Sequence, residues 1–180
     1  MLLQSLLLSA ALLTPGQTEI TEQQINSMLD HQGLVERNVD MPGLFSAKLT
    51  LNHGEVQLGR QQEDVARVIG KGDARLAMGN KAPVDAKVAI TFDGKPRYDA
   101  TTHSLYLDDA KVVSYSMEPK EVQAQYGVML ELMLQNLQQR LVNQPIYRLG
   151  AQNKQLLWWR QHLTGVDVEP GKLLLLINKG

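Results

Sequence analysis

Between residues 45 and 118 the chain alternates apolar and polar side chains, and from Pro119 the alternation gives way to a helical rhythm. Phe45, Ala47, Leu49 and Leu51 interleave with Ser46, Lys48, Thr50 and Asn52. Ala74, Leu76 and Met78 interleave with Asp73, Arg75 and Ala77, and Val84, Ala86, Val88, Ile90 and Phe92 with Asp85, Lys87, Ala89 and Thr91. Such patterning gives each strand one covered and one wet face, which favours antiparallel pairing in a meander. Asn52-His53-Gly54 predicts a turn that returns the chain through Val56 and Leu58, and Asp93-Gly94-Lys95-Pro96 predicts a loop. In the next strand Leu105 and Leu107 point inward on one parity, Ala110 and Val112 on the other. The parity change predicts a β-bulge at Asp108-Asp109.

Over residues 119–143, Val122, Tyr126, Met129, Leu130, Met133, Leu134, Leu137 and Leu141 fall within one arc at 3.6 residues per turn. Val128 and Leu132 are apolar outside that arc, so burial is expected to be broad. The charged residues of this helix are Lys120, Glu121, Glu131 and Arg140, and its polar face is mostly glutamine. A long greasy helix and a one-sided sheet must cover each other, which makes the fold class α+β.

Shorter elements flank these. Thr21 and Gln24 form a capping box, with Ile20 and Ile25 at the staple positions, opening a helix that runs to about Asp30 and ends at Gly33. After Gln144-Pro145 come a short strand at 146–149 and a helix around 153–163. Pro170-Gly171 then turns the chain into a strand at 173–177 that is apolar on both faces and expected to be buried on both. No repeat or long linker divides residues 17–180, which read as one domain.

Residues 1–16 are leucine-rich and break at Pro15-Gly16. They are too short to span a bilayer and match the apolar region of a secretory signal peptide, with Ser9-Ala10-Ala11 as small residues for cleavage, although no Lys or Arg precedes them. Export is the expectation; the alternative is an N-terminal apolar helix packed on the domain.

Composition narrows the chemistry. With 43% hydrophobic and 21% charged residues the chain is globular, and a net charge of −1 leaves no electrostatic footprint for nucleic acid. The absence of cysteine excludes disulfides, zinc-thiolate sites and thiol catalysis. His31, His53, His103 and His162 are scattered without metal-ligand spacing, and His53 reads as a solvated turn residue. Asp108 and Asp109, as strand neighbours, point to opposite faces. Gly70-Lys71-Gly72 precedes a strand rather than a phosphate-binding helix. The expectation is a non-enzymatic protein with no cofactor and no metal.

The candidate site is apolar. Two Phe and two Trp must help fill a core around the long helix, and an underfilled core leaves a cavity suited to an apolar ligand. Methionine thioethers adapt to such sites. The residues expected to line it are Leu49, Leu76, Val88, Ile90, Tyr126, Met129, Met133 and Leu137. The expected partner is a lipid or other long apolar molecule. The second reading is a closed-core module that binds another protein through a sheet edge or through Trp158-Trp159. Leu156-Leu157-Trp158-Trp159-Arg160 also offers an interfacial membrane anchor, unless one indole caps the core and the other lies on the surface.

Six short motifs occur in an order that resembles one family. They are Ile20-Thr21-Glu22-Gln23-Gln24-Ile25-Asn26, Met41-Pro42-Gly43, Gln57-Leu58-Gly59-Arg60, Gly72-Asp73-Ala74-Arg75-Leu76, Gln144-Pro145-Ile146-Tyr147-Arg148-Leu149 and Val168-Glu169-Pro170-Gly171-Lys172. Together they resemble the YceB-type lipoproteins of the Gram-negative envelope, over roughly residues 18 to 178. The resemblance implies a domain similar to the TULIP superfamily of tubular lipid-binding proteins, in which a strongly curved antiparallel sheet wraps a long helix and can enclose an apolar tunnel. It also implies a periplasmic or envelope location. Family members carry a lipid-modified cysteine after the signal peptide, and here Leu12 stands where that cysteine is needed. Acyl anchoring is therefore not expected, leaving a soluble periplasmic protein or one held by its apolar N-terminal segment.

Overall fold

The alternation in residues 45–118 becomes four very long antiparallel strands. The computed structural model describes residues 17–31 and 35–178, so the expected signal segment and the helix stop at Gly33 lie outside the described residues. The element order is β1 (Glu19–Thr21), α1 (Glu22–His31), β2 (Val35–Met41), β3 (Phe45–Leu58), β4 (Ala66–Met78), β5 (Val84–Asp99), β6 (Ser104–Glu118), α2 (Lys120–Asn143), β7 (Tyr147–Arg148), α3 (Lys154–His162), β8 (Leu163–Glu169) and β9 (Lys172–Ile177). Strands β2 to β7 pair in sequence order as one six-stranded meander, and β1, β9 and β8 form a separate three-stranded sheet. The larger sheet curls strongly into a half-barrel.

The curl has local causes. A strand of 13 to 16 residues extends about 45–50 Å, and three irregularities bend these strands on the way. One lies between Leu51 and His53 of β3, opposite Gly72 and Lys71 of β4. A Cβ at Gly72 would stand 2.1 Å from the Thr50 carbonyl oxygen and 2.8 Å from Leu51 Cα, so only glycine lets the backbones approach so closely there. The turn expected at Asn52-His53-Gly54 is therefore a bulge, and the chain continues straight on as β3. The second irregularity confirms the parity change: Gly94 of β5 faces Asp109 and Ala110 of β6, and Asp109 takes φ +53°. The loop expected at 93–96 is likewise an irregularity inside a continuous β5. The third makes Val113 an extra residue in β6, since Thr91 pairs with Ser114 and Phe92 with Val112.

The capping box forms as expected. Thr21 N–H donates to Gln24 Oε1 at 2.9 Å, Gln24 N–H donates to Thr21 Oγ1 at 3.2 Å, and the staple residues Ile20 and Ile25 are buried. β2 and β8 carry too little alternation to stand out in the sequence; each is recruited by pairing with its neighbour. The run at 173–177 is covered on one side only: Leu173 and Leu175 are buried, whereas Leu176 is exposed, because β9 belongs to the small sheet with one face toward solvent.

Three of the sequence motifs converge on one junction between the two sheets. Gly59, at φ +61°, passes so close to Glu169 and Pro170 that a Cβ would meet backbone at 2.9 Å. Gly171 N–H donates to the Leu58 carbonyl at 2.8 Å, and Glu22 N–H donates to the Gly171 carbonyl at 2.9 Å. The Glu22 carboxylate accepts from Leu58 N–H at 2.9 Å and from Arg60 Nε and Nη2 at 3.0 and 2.7 Å. Burial by itself would raise the Glu22 carboxyl, but the Arg60 and Leu58 hydrogen bonds and the guanidinium charge outweigh it and hold the group below its ordinary value of 4.5. A lowered carboxyl stabilises the fold above its unfolded value and loses that contribution as pH falls through the folded one. Glu22→Gln is expected to cost about 1–2 kcal/mol at pH 7 and much less at pH 3. Urea midpoints at the two pH values check this, and a gap that persists undiminished at pH 3 would refute the assignment.

Candidate functional site

The helix does not lie centrally in the half-barrel. α2 packs mainly along β6, whose outer edge pairs with β7 only at Ser104 and Leu105. Open strand edges need covering, and two of the glutamines on α2 supply part of the cover. Gln123 Oε1 accepts from Met117 N–H at 3.2 Å and Gln138 Oε1 from Val112 N–H at 3.3 Å. From this edge the apolar arc of α2 reaches across the concave face as far as β3, where the Phe45 and Tyr126 rings lie 6.4 Å apart.

Two separate hydrophobic clusters result. The first joins the small sheet, α1 and α3 to the Leu58 and Leu105 ends of the large sheet, and it holds Trp159 and Leu141. The second lies between the concave face and the first part of α2. It contains buried Phe45, Leu76, Val88, Ile90, Met117, Val122, Tyr126, Leu130 and Leu134. Around these pack the half-buried Met41, Leu49, Met78, Met129 and Met133.

Seven of the eight expected site residues thus meet in one place: Leu76, Val88, Ile90 and Tyr126 inside, and Leu49, Met129 and Met133 at the rim. Leu137 is the exception, because it packs against the other cluster. It lies eleven residues beyond Tyr126, about 16 Å along the helix axis, which carries it past the seam. Met41, Met78 and Met117 were not among the expected residues. The register shows why they belong: Met41 and Met78 both pair with Phe45, from opposite sides. Five of the chain's seven methionines therefore gather here. Val128 and Leu132, expected to share in the burial, are 71% and 47% exposed, because they stand on the helix face turned away from the sheet.

The seam also holds an unpartnered polar atom. Tyr126 is only 1% exposed, and its hydroxyl has no hydrogen-bond partner among the described residues.

A second concavity, about 470 Å³, lies between the irregular stretch of β5–β6 and the β8–β9 hairpin. Its wall is charged: Asp64, Lys95, Arg97, Asp108, Asp109 and Asp167 line it with Tyr98, Val166, Val168 and Leu176. Arg97 is committed to Asp108 at 2.6 Å and lies over the Tyr106 ring at 4.8 Å. Burial pushes the Tyr98 phenol up to about 12, so it stays neutral at physiological pH. Asp108 and Asp109, expected on opposite faces as strand neighbours, both line this concavity, because the bulge puts Asp109 at φ +53° and breaks the alternation there. Among the described residues no group of three or more histidine or carboxylate side chains is placed to hold a metal ion. His53 sits at the β3 bulge rather than in a turn, 3.9 Å from Asp30 and half exposed.

The tryptophan pair divides as the more ordinary sequence reading has it. Trp159 is wholly buried, while Trp158 is half-buried, edge-on to it at 5.1 Å and stacked on His162 at 4.3 Å. Trp159 is thus withdrawn from any surface contact. Among the described residues no helix is long and apolar enough to cross a membrane.

Over residues 20–172 the chain matches the family described as "Protein of unknown function (DUF1439)". It belongs to that family. The chain is also similar to "Uncharacterized lipoprotein YceB" of Escherichia coli (strain K12), 26% identical, with 94% of this chain and 96% of the relative covered. The protein of the same name from Salmonella typhimurium is 26% identical over 88% of this chain and 86% of its own length. Both relatives are named lipoproteins and come from Gram-negative bacteria, which is consistent with an envelope location. No enzymatic family or activity is indicated by these matches.

Proposed function

We propose that this chain is a non-enzymatic envelope protein that holds a lipid or another long apolar molecule in the seam between α2 and the concave face of the larger sheet. The observation that carries the reading is the gathering of half-buried Met41, Met78, Met129 and Met133 around a buried apolar floor. Unbranched thioether side chains repack at little cost, so a rim built from them can yield to an incoming chain. Each methylene moved from water into such a seam contributes about 0.8 kcal/mol, and eight of them about 6 kcal/mol before the ordering of the ligand is subtracted. The names of the relatives support a periplasmic or envelope setting. Residues 1–16 are proposed as the export signal and residues 17–180 as the carrier domain.

The test is the mass of the native protein. The full chain, exported to the periplasm of a Gram-negative host and purified without detergent, is expected to carry a stoichiometric lipid in native mass spectrometry. Met133→Trp, which places an indole at the rim, is expected to keep the wild-type circular dichroism spectrum and lose lipid occupancy at least severalfold. A folded Met133→Trp variant loaded like the wild type would remove the ligand from this seam.

A second reading, a protein-interaction module with a closed core, draws support from the outward Val128 and Leu132, one turn apart on α2. It expects a bare polypeptide mass in the same measurement and no uptake when lipid is then offered.

A further inference from the structure

We infer that the Tyr126 hydroxyl is the polar anchor of the α2–sheet seam, and that the ligand, on the lipid reading above, bears a neutral carbonyl acceptor such as an ester or amide beside its apolar chain. A buried hydroxyl without a partner is destabilising, and native folds nearly always satisfy such groups. Here the Tyr126 hydroxyl is enclosed with no hydrogen-bond partner among the described residues, and the residue belongs to a cluster of apolar and thioether side chains. The cost is removed when a ligand supplies the acceptor.

Access follows from helix geometry. Met129 and Met133 lie three and seven residues beyond Tyr126 on the same face of α2, and both are half-buried. An acyl chain that displaces these thioethers runs along the helix and ends with its polar atom at the hydroxyl.

The charge pattern selects the acceptor. On strands β3, β4 and β5 the ionic side chains alternate onto the opposite face, where Lys48 pairs with Glu36, Arg75 with Asp85, and Lys87 with Asp73. The cations of these pairs, and Lys71, Lys111 and Lys120 of β4, β6 and α2, are solvent-exposed, so an ionised carboxylate buried in the seam would lack a buried partner among the described residues. A neutral ester or amide carbonyl takes the tyrosine O–H without that cost, which sets the expected order as ester above hydrocarbon and free carboxylate.

Displacement of the fluorescent apolar probe N-phenyl-1-naphthylamine from the full-length protein at pH 8 tests the order, with methyl laurate, sodium laurate and dodecane as competitors. Wild type is expected to favour methyl laurate over dodecane by about fivefold, the effect of one hydrogen bond, and laurate least. Tyr126→Phe is expected to lose the ester preference, to bind dodecane as before, and, without ligand, to melt at the wild-type temperature or above it. A Tyr126→Phe variant that keeps the ester preference overturns the inference. So does one whose ligand-free melting point falls by several degrees, since the hydroxyl would then be bonded within the protein. Equal displacement by ester and hydrocarbon in the wild type overturns the inference and leaves the apolar seam standing. Failure of the protein to take up the probe or any competitor overturns both.

Discussion

Trp159→Ala is expected to lower stability by about 3–5 kcal/mol, with a fall in melting temperature on the order of 10 °C. Trp159 is 0% exposed and belongs to the cluster that unites both sheets, α1, α3 and the end of α2. Removing the indole leaves a cavity whose walls come from elements distant in sequence, including Ile20, Leu58, Leu105 and Leu175, so partial collapse at one wall cannot fill it. The indole N–H has no acceptor among the described residues, which separates two variants. Trp159→Phe keeps most of the volume and deletes the unsatisfied donor, so it is expected to lose less than half as much as alanine. Trp158→Ala loses a half-exposed ring stacked on His162 and is expected to cost about 1 kcal/mol. Urea unfolding of the three variants checks the ranking; an alanine variant at Trp159 no weaker than the one at Trp158 would show that the cluster has no such keystone.

Arg67→Met is expected to cost about 3 kcal/mol, because it strands the partner carboxylate. Asp93 is 8% exposed, and it accepts from Arg67 Nε at 2.7 Å and Nη2 at 2.9 Å across directly paired positions of β4 and β5. Breaking a buried pair from one side leaves an uncompensated charge, whereas replacing both partners with apolar groups removes the penalty along with the attraction. The double variant Arg67→Met with Asp93→Leu is therefore expected to recover more than half of the single variant's loss. A double-mutant cycle read by urea midpoints decides it. If the double variant is as weak as the single, the loss comes from packing of the arginine stem and not from the stranded charge.

Local signals proved most legible where one side chain sufficed to set the outcome. The Thr21–Gln24 box, the start of α3 near residue 153 and the start of α2 at Pro119 are each a matter of a few adjacent residues, and the structure places them within a residue of expectation. The bent strand at Asp108-Asp109 was legible for the same reason, since parity changes within a few positions. Asn52-His53-Gly54 and Asp93-Gly94 misled because turn and bulge draw on the same residues; only the pairing partner across the sheet, Gly72 in one case and Ala110 in the other, distinguishes them. That information is long-range. The same limit applies to β8 and to the second sheet, whose strands are assembled from both ends of the chain. In the candidate site, arc and alternation placed seven residues in one cluster. Met41 and Met78 escaped because their meeting depends on register, and Leu137 packs with the other cluster because periodicity marks a helix face and not a position along its axis.

The division of α2 between two cores makes it a beam with two independent supports. Leu137 and Leu141 are clamped among the residues that hold Trp159 and Leu175, while Val122, Tyr126, Leu130 and Leu134 rest on the half-barrel. Met129 and Met133 lie on the part of the helix that rests on the half-barrel. The two supports reside in different side chains, so each can be altered by substitution without the other.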